Sequence, residues 1–169
     1  MNILIKGLAA LPAFQSLCSD IQLGRLPASV TGLGHIHKAH FVASICTNLN
    51  RKAVVITSDE AEAHRLSDDL ASFGVQPLLL PARDLFLRSV ESVSREFEQQ
   101  RLGVLAKMAS GDFQVAVASI DAAVQHTLPP SVLLSRTFVL RTGVALPVKD
   151  LSTSLAAAGY ELCEQGEGP

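Results

Sequence analysis

An α/β fold built on a parallel sheet is what this chain of 169 residues predicts, and two observations carry that expectation. Short β-branched apolar runs alternate with stretches of helical periodicity, and the links between them are short. The apolar runs Ala53-Val54-Val55-Ile56-Thr57 and Val115-Ala116-Val117-Ala118 do not alternate with polar residues, which is the pattern of a parallel strand covered on both faces.

Taken in order, Leu8, Leu11, Phe14, Leu17, Cys18 and Ile21 recur at helical spacing, interrupted by Pro12, and predict an N-terminal helical arm over residues 1–26. Residues 28–31 then read as a first short strand, followed by a glycine loop and a helix carrying Phe41, Val42, Ile45 and Leu49 on one face. After the strand at 53–57, Thr57 or Ser58 is expected to cap a helix with Asp59 and Glu60 in its first turn, Leu66, Leu70 and Phe73 on its buried face and Gly74 beyond its end. A strand at 75–80 stops at Pro81, and a long helix is expected over about 94–108. Ser119 should cap a short helix after the strand at 115–118. The first α/β domain is thus drawn over residues 27–130, closed by Pro129-Pro130. Residues 131–169, with an apolar run inside 136–141 and a helix opened by Pro147, read as the start of a small second α/β domain. Since that unit looks unfinished, the chain is expected to be a piece of a longer protein.

Composition narrows the function classes. Hydrophobic residues at 48% and charged residues at 18% favour a packed core over disorder. A net charge of -2 gives no bulk attraction to phosphate backbones or anionic membranes. Cys18, Cys46 and Cys163 are odd in number and widely spaced, which supports neither a disulfide framework nor a zinc site. They are expected to be reduced thiols of a cytoplasmic protein. No apolar run approaches the roughly 20 residues of a membrane helix.

The loop Thr31-Gly32-Leu33-Gly34-His35-Ile36 is the candidate site. A working P-loop, G-x-x-x-x-G-K-[ST], needs its lysine to neutralise phosphate oxygens and its hydroxyl to hold Mg²⁺. With Gly34 as the second glycine, Ser29 stands for the first, His35 for the lysine and Ile36 for the hydroxyl residue. Histidine is a poor substitute for a lysine point charge, and isoleucine cannot ligate a metal. A degenerate P-loop, with no nucleotide, metal or other cofactor bound, is therefore the favoured reading over a plain strand-to-helix turn. Two rivals stay open: an active NTPase in which Lys38 reaches in for the missing lysine, and a dinucleotide site, although His37 replaces the third glycine of G-x-G-x-x-G. His37 and His40 could share a helix face but lack carboxylate or thiol companions. Arg83, Arg88, Arg95 and Arg101, interleaved with Asp84, Glu91, Glu96 and Glu98, read as a solvated mixed-charge surface. No catalytic constellation stands out.

Several ordered segments carry a resemblance. The loop Thr31-Gly32-Leu33-Gly34, the run 53–57, Leu80-Pro81-Ala82-Arg83-Asp84-Leu85-Phe86, Gln100-Arg101-Leu102-Gly103, Val115-Ala116-Val117-Ala118-Ser119, Leu128-Pro129-Pro130, Arg141-Thr142-Gly143, Ala158-Gly159-Tyr160 and Gly168-Pro169 together resemble the N-terminal region of bacterial transcription-repair coupling factor (Mfd). That region is similar to UvrB, so the resemblance implies a UvrB-like domain followed by a small α/β domain, with a glycine loop degenerate at His35 and Ile36. It further implies that this piece is not an enzyme. The whole protein would meet stalled RNA polymerase on DNA, displace it with a separate ATP-driven translocase and recruit UvrA. The UvrA contacts would start just beyond Pro169. No membrane partner and no small-molecule ligand are expected.

Overall fold

A computed structural model of the chain describes residues 3–82, 91–138, 140, 142, 143, 145 and 147–160, the side chains of 91–96 excepted. The expectations placed on 83–90, on the side chains of Glu91, Arg95 and Glu96, on Val139 and Arg141, and on the tail with Cys163 lie outside these residues. The chain divides into two compact units, Met1–His126 and Thr127–Pro169.

In the first unit, α1 (Ile3–Ala9) and α2 (Pro12–Gln22) are separated where Pro12, lacking an amide donor, fits the first turn of a new helix and not the interior of an old one. Both pack on α3 (His35–Leu49). Ile5 joins the buried cluster around Ala39 and Ala43, and the buried Phe14 ring meets Phe41 edge to face at 5.7 Å. β1 (Ala53–Thr57), α4 (Glu60–Ser72), β2 (Leu78–Leu80), α5 (Glu91–Ser110), β3 (Val115–Ser119) and α6 (Ile120–Ala123) follow.

Among the described residues the sheet has three parallel strands in the order β1-β3-β2, with Ala53 beside Val115 and Leu78 beside Ala116. Parallel neighbours need crossover helices, which α4 and α5 supply. Val115 and Val117 face α3 and α4 in one cluster with Leu66, Leu70, Phe73 and Val75. Ala118 and Leu80 face the other way, against Ala122, Val104 and Leu105. Cys46 is in the first cluster, and burial pushes its thiol above the ordinary value. It behaves there as the small hydrophobe the sequence suggested.

Three sequence expectations are corrected. Residues 28–31 form no strand; Val30 is their one large apolar side chain and is exposed, so little burial is gained by adding them to the sheet. The strand expected at 75–80 is confined to Leu78–Leu80, because Pro77 offers no amide to a ladder. In the second unit, α7 (Pro130–Ser135) and α8 (Val148–Ala158) are helical, but Arg136, Thr137, Phe138 and Leu140 form no strand. The Arg136 guanidinium instead donates to the Ala157 carbonyl at 2.8 Å, and the Thr137 hydroxyl to the Leu133 carbonyl. Leu151, Leu155 and Ala158 form the half-buried face of α8, and the helix ends on Gly159 in the left-handed conformation. Among the described residues no helix is long and apolar enough to cross a membrane.

Candidate functional site

The glycine loop opens a helix, α3, as the sequence suggests, but no strand precedes it among the described residues; it lies at the end of the unit where β1 runs into α4. Gly32 has φ +80°, a backbone state that a side chain makes costly and glycine adopts freely. Gly34 is the N-cap, extended at φ -71° and ψ 173°, and without a side-chain cap. The first helical residues are therefore His35, Ile36 and His37, with Ile36 exposed. The two positions that would have to hold phosphate charge and a metal carry an imidazole and a butyl group.

Lys38, one turn into α3, is engaged elsewhere. Its ammonium donates to Glu62 Oε1 at 2.9 Å. Glu62 belongs to the first turn of α4, and its other oxygen accepts from the Ser58 hydroxyl at 2.8 Å and from the Ser58 amide at 3.3 Å. The cap of α4 is Asp59, not Thr57 or Ser58 as the sequence suggested: Asp59 Oδ1 accepts from the Glu62 amide at 2.7 Å. Aspartate and glutamate three apart thus form a reciprocal cap, with the glutamate extended one residue further back and holding a lysine from the neighbouring helix. The Thr57 hydroxyl is turned inward to the Asp59 carbonyl at 2.8 Å, which leaves it unable to cap.

These contacts set the charge state. Lys38 first, then the Ser58 hydroxyl and amide, hold the Glu62 carboxyl down from 4.5 to about 2; the Glu62 amide and then the Ser58 hydroxyl lower Asp59. Because the folded value lies below the unfolded one, the stabilisation from Glu62 is present above about pH 4.5 and is lost as pH falls toward 2. The pair is exposed, so Glu62→Gln should lower the unfolding temperature at pH 7 by only about 2 °C. The same variant should flatten the acid limb of a stability–pH curve between about 5 and 2, measured by thermal unfolding across that range.

The space beside the loop is small. The cleft lined by His35, Glu62, Arg65, Leu66 and Asp69 encloses about 10 Å³, room for about one water, whereas small-molecule sites run to roughly 300 Å³ and more. A larger open groove of about 420 Å³ lies at the opposite, amino end of the strands, lined by Ile5, Thr47, Phe73, Val75 and Gln114 among others, with no charged side chain.

Other residues singled out from sequence are used in packing. The His40 ring lies 2.8 Å from the Leu4 carbonyl through Nε2 and stacks on Phe73 at 4.9 Å, tying α1 to α3 and α4. Among the described residues no three His, Cys, Asp or Glu side chains are grouped to hold a metal ion. Glu60 accepts from the Ala82 amide at 2.8 Å and so fastens the exit of β2. Arg101 was read as solvated and is not: it is 3% exposed, and its guanidinium donates to the Pro81 carbonyl at 2.6 Å and the Ala122 carbonyl at 3.0 Å. The signal was present in the spacing, since Arg101 lies three and four residues before the core-packed Val104 and Leu105 on one helix face.

Fold and site define an α/β unit with a parallel sheet and a glycine loop opening a helix near the carboxyl end of β1. The comparisons place that class among known proteins. The chain is 26% identical over 159 residues to the transcription-repair-coupling factor of Bacillus subtilis (strain 168), covering 92% of this chain and 13% of that protein. It is 23% identical over 140 residues to the Staphylococcus aureus (strain MRSA252) protein of the same name, covering 82% of this chain and 12% of that one. UvrABC system protein B of Campylobacter fetus subsp. fetus (strain 82-40) is 27% identical over 148 residues, 78% of this chain and 22% of that protein. Relatives with these two names, matched along most of the chain, support a region like that of transcription-repair-coupling factor and UvrB. The chain spans a small fraction of their length. No family model and no solved structure matches it.

Proposed function

We propose that the chain is a non-catalytic recognition and scaffold module of the transcription-repair-coupling type, derived from a P-loop NTPase domain that has given up nucleotide chemistry. The observation that carries this reading is the loop itself: it leads into α3 through Gly32 at φ +80° and the N-cap Gly34, yet presents His35 and Ile36 where lysine and a hydroxyl are required. The engagement of Lys38 by Glu62 and the cleft of about 10 Å³ point the same way. On the resemblance to transcription-repair coupling factor, the whole protein would serve nucleotide-excision repair, with UvrA, RNA polymerase and DNA as its partners and ATP hydrolysis supplied by a different part.

The rival enzyme reading gives the missing charge to Lys38. It requires the ammonium to leave Glu62 Oε1 and reach past the first turn of α3 to a phosphate. Steady-state ATP hydrolysis by the wild-type chain and by Lys38→Ala separates the two. The scaffold reading expects background turnover from both, with and without Mg²⁺; Mg²⁺-dependent turnover that Lys38→Ala abolishes would replace it by the enzyme reading.

A further inference from the structure

The contacts of Arg101 and Glu60 converge on one peptide group. The bond joining Pro81 to Ala82, just past β2, has its carbonyl accepting from the Arg101 guanidinium at 2.6 Å and its amide donating to Glu60 Oε1 at 2.8 Å. The two polar atoms of a trans peptide point in opposite directions, so this unit lies between a cation and an anion. Each contact polarises the peptide in the sense that strengthens the other. A cation at the oxygen makes the N–H a better donor, and a carboxylate at the N–H makes the oxygen a better acceptor. Burial of Arg101, 3% exposed, keeps water from screening the cationic side.

The same guanidinium reaches a third place. Its other terminal nitrogen donates to the Ala122 carbonyl at 3.0 Å, in α6 just past β3. Glu60 itself stands in the first turn of α4, just past β1. Since β3 lies between β1 and β2, the contacts running from Glu60 through the Pro81-Ala82 peptide and Arg101 to Ala122 cross the carboxyl end of the described sheet and touch the exit of each of its strands. We propose that these contacts work as one relay, holding the three exits as a single cooperative unit in which a displacement at one is passed to the other two. In switch folds, order at this end of a sheet is supplied by a ligand's phosphate and metal. Here it is supplied by the chain's own charges, whether or not a nucleotide binds. Arg101 and Glu60 are positioning residues in this device.

A double-mutant cycle on the 169-residue chain tests the relay. Glu60→Ala removes the anion, and Arg101→Met keeps a long apolar stem while removing the donors. If the contacts strengthen each other, the double variant should lose less in unfolding temperature than the sum of the single losses, by about 3 °C. Losses that add to within about 1 °C would mean two independent contacts and would overturn the proposal. Amide exchange of Glu60→Ala alone gives a readout that does not need Arg101→Met to fold. The Ala122 amide is held by Ser119 Oγ at 3.1 Å, not by Glu60. Under the relay its exchange should nonetheless rise about threefold or more, while the Val75 amide, held by the Leu70 carbonyl at the amino end of the strands, keeps its wild-type rate. An Ala122 amide that exchanges as in the wild type, or a Val75 amide accelerated by the same factor, would each overturn the proposal. The second of these would mean that the variant loosens the whole unit and not the strand exits.

Discussion

Arg101→Ala should lower the unfolding temperature of the first unit by about 10 °C, a loss of about 3 kcal/mol. The guanidinium is 3% exposed and spans the Pro81 carbonyl, just past β2, and the Ala122 carbonyl in α6, just past β3. Alanine removes two charge-assisted donors and leaves those acceptors in a space that water does not readily refill. Lysine keeps the charge but offers a single point donor, so Arg101→Lys should recover less than half of the loss. Thermal unfolding by circular dichroism measures both. A shift under about 2 °C for the alanine variant would return Arg101 to the ordinary surface charges.

Leu70→Ala should cost about 3 kcal/mol for a different reason. Leu70 is fully buried on α4 in the cluster with Leu66, Phe73, Val115 and Val117, and truncation leaves a cavity between helix and sheet that close packing does not refill. Val54→Ala, on the open face of β1, should change stability by less than about 0.5 kcal/mol. Chemical denaturation of the two variants side by side tests the placement of the core. Equal effects would mean that Val54 is packed as well as Leu70.

The contrast between these residues also marks what could be read from the sequence. The run Ala53–Thr57 was legible as a strand because β-branched residues follow one another without a breaker. That both of its faces should be covered was an inference from composition, and Val54 and Ile56 are open instead. β3, flanked by neighbours on each side, is buried at every position and fits the expectation in full. Residues 28–31 misled because β propensity was judged without asking how much apolar surface four residues with one valine could bury. The helix α4 is legible from its punctuation, yet the sequence points to Thr57 or Ser58 as its cap where Asp59 holds that place. A hydroxyl and a carboxylate one residue apart compete for the same amide, and local sequence does not rank them; here Asp59 takes the Glu62 amide and Ser58 turns to carboxylates. At the candidate site, the glycines and their unsuitable neighbours His35 and Ile36 were visible in sequence order alone. The Lys38–Glu62 pair was not, since it joins residues 24 apart and depends on how α3 and α4 lie side by side.

The central claim proposed is that this loop opens α3 beside the end of β1 without binding a nucleotide. Isothermal calorimetry of the chain with ATP and Mg²⁺ tests it most directly. The account predicts no saturable heat up to about millimolar ATP, a binding free energy weaker than roughly 4 kcal/mol. Saturable binding at micromolar ATP would contradict it, and would require His35, Ile36 and Lys38 to do what their chemistry and contacts here argue against.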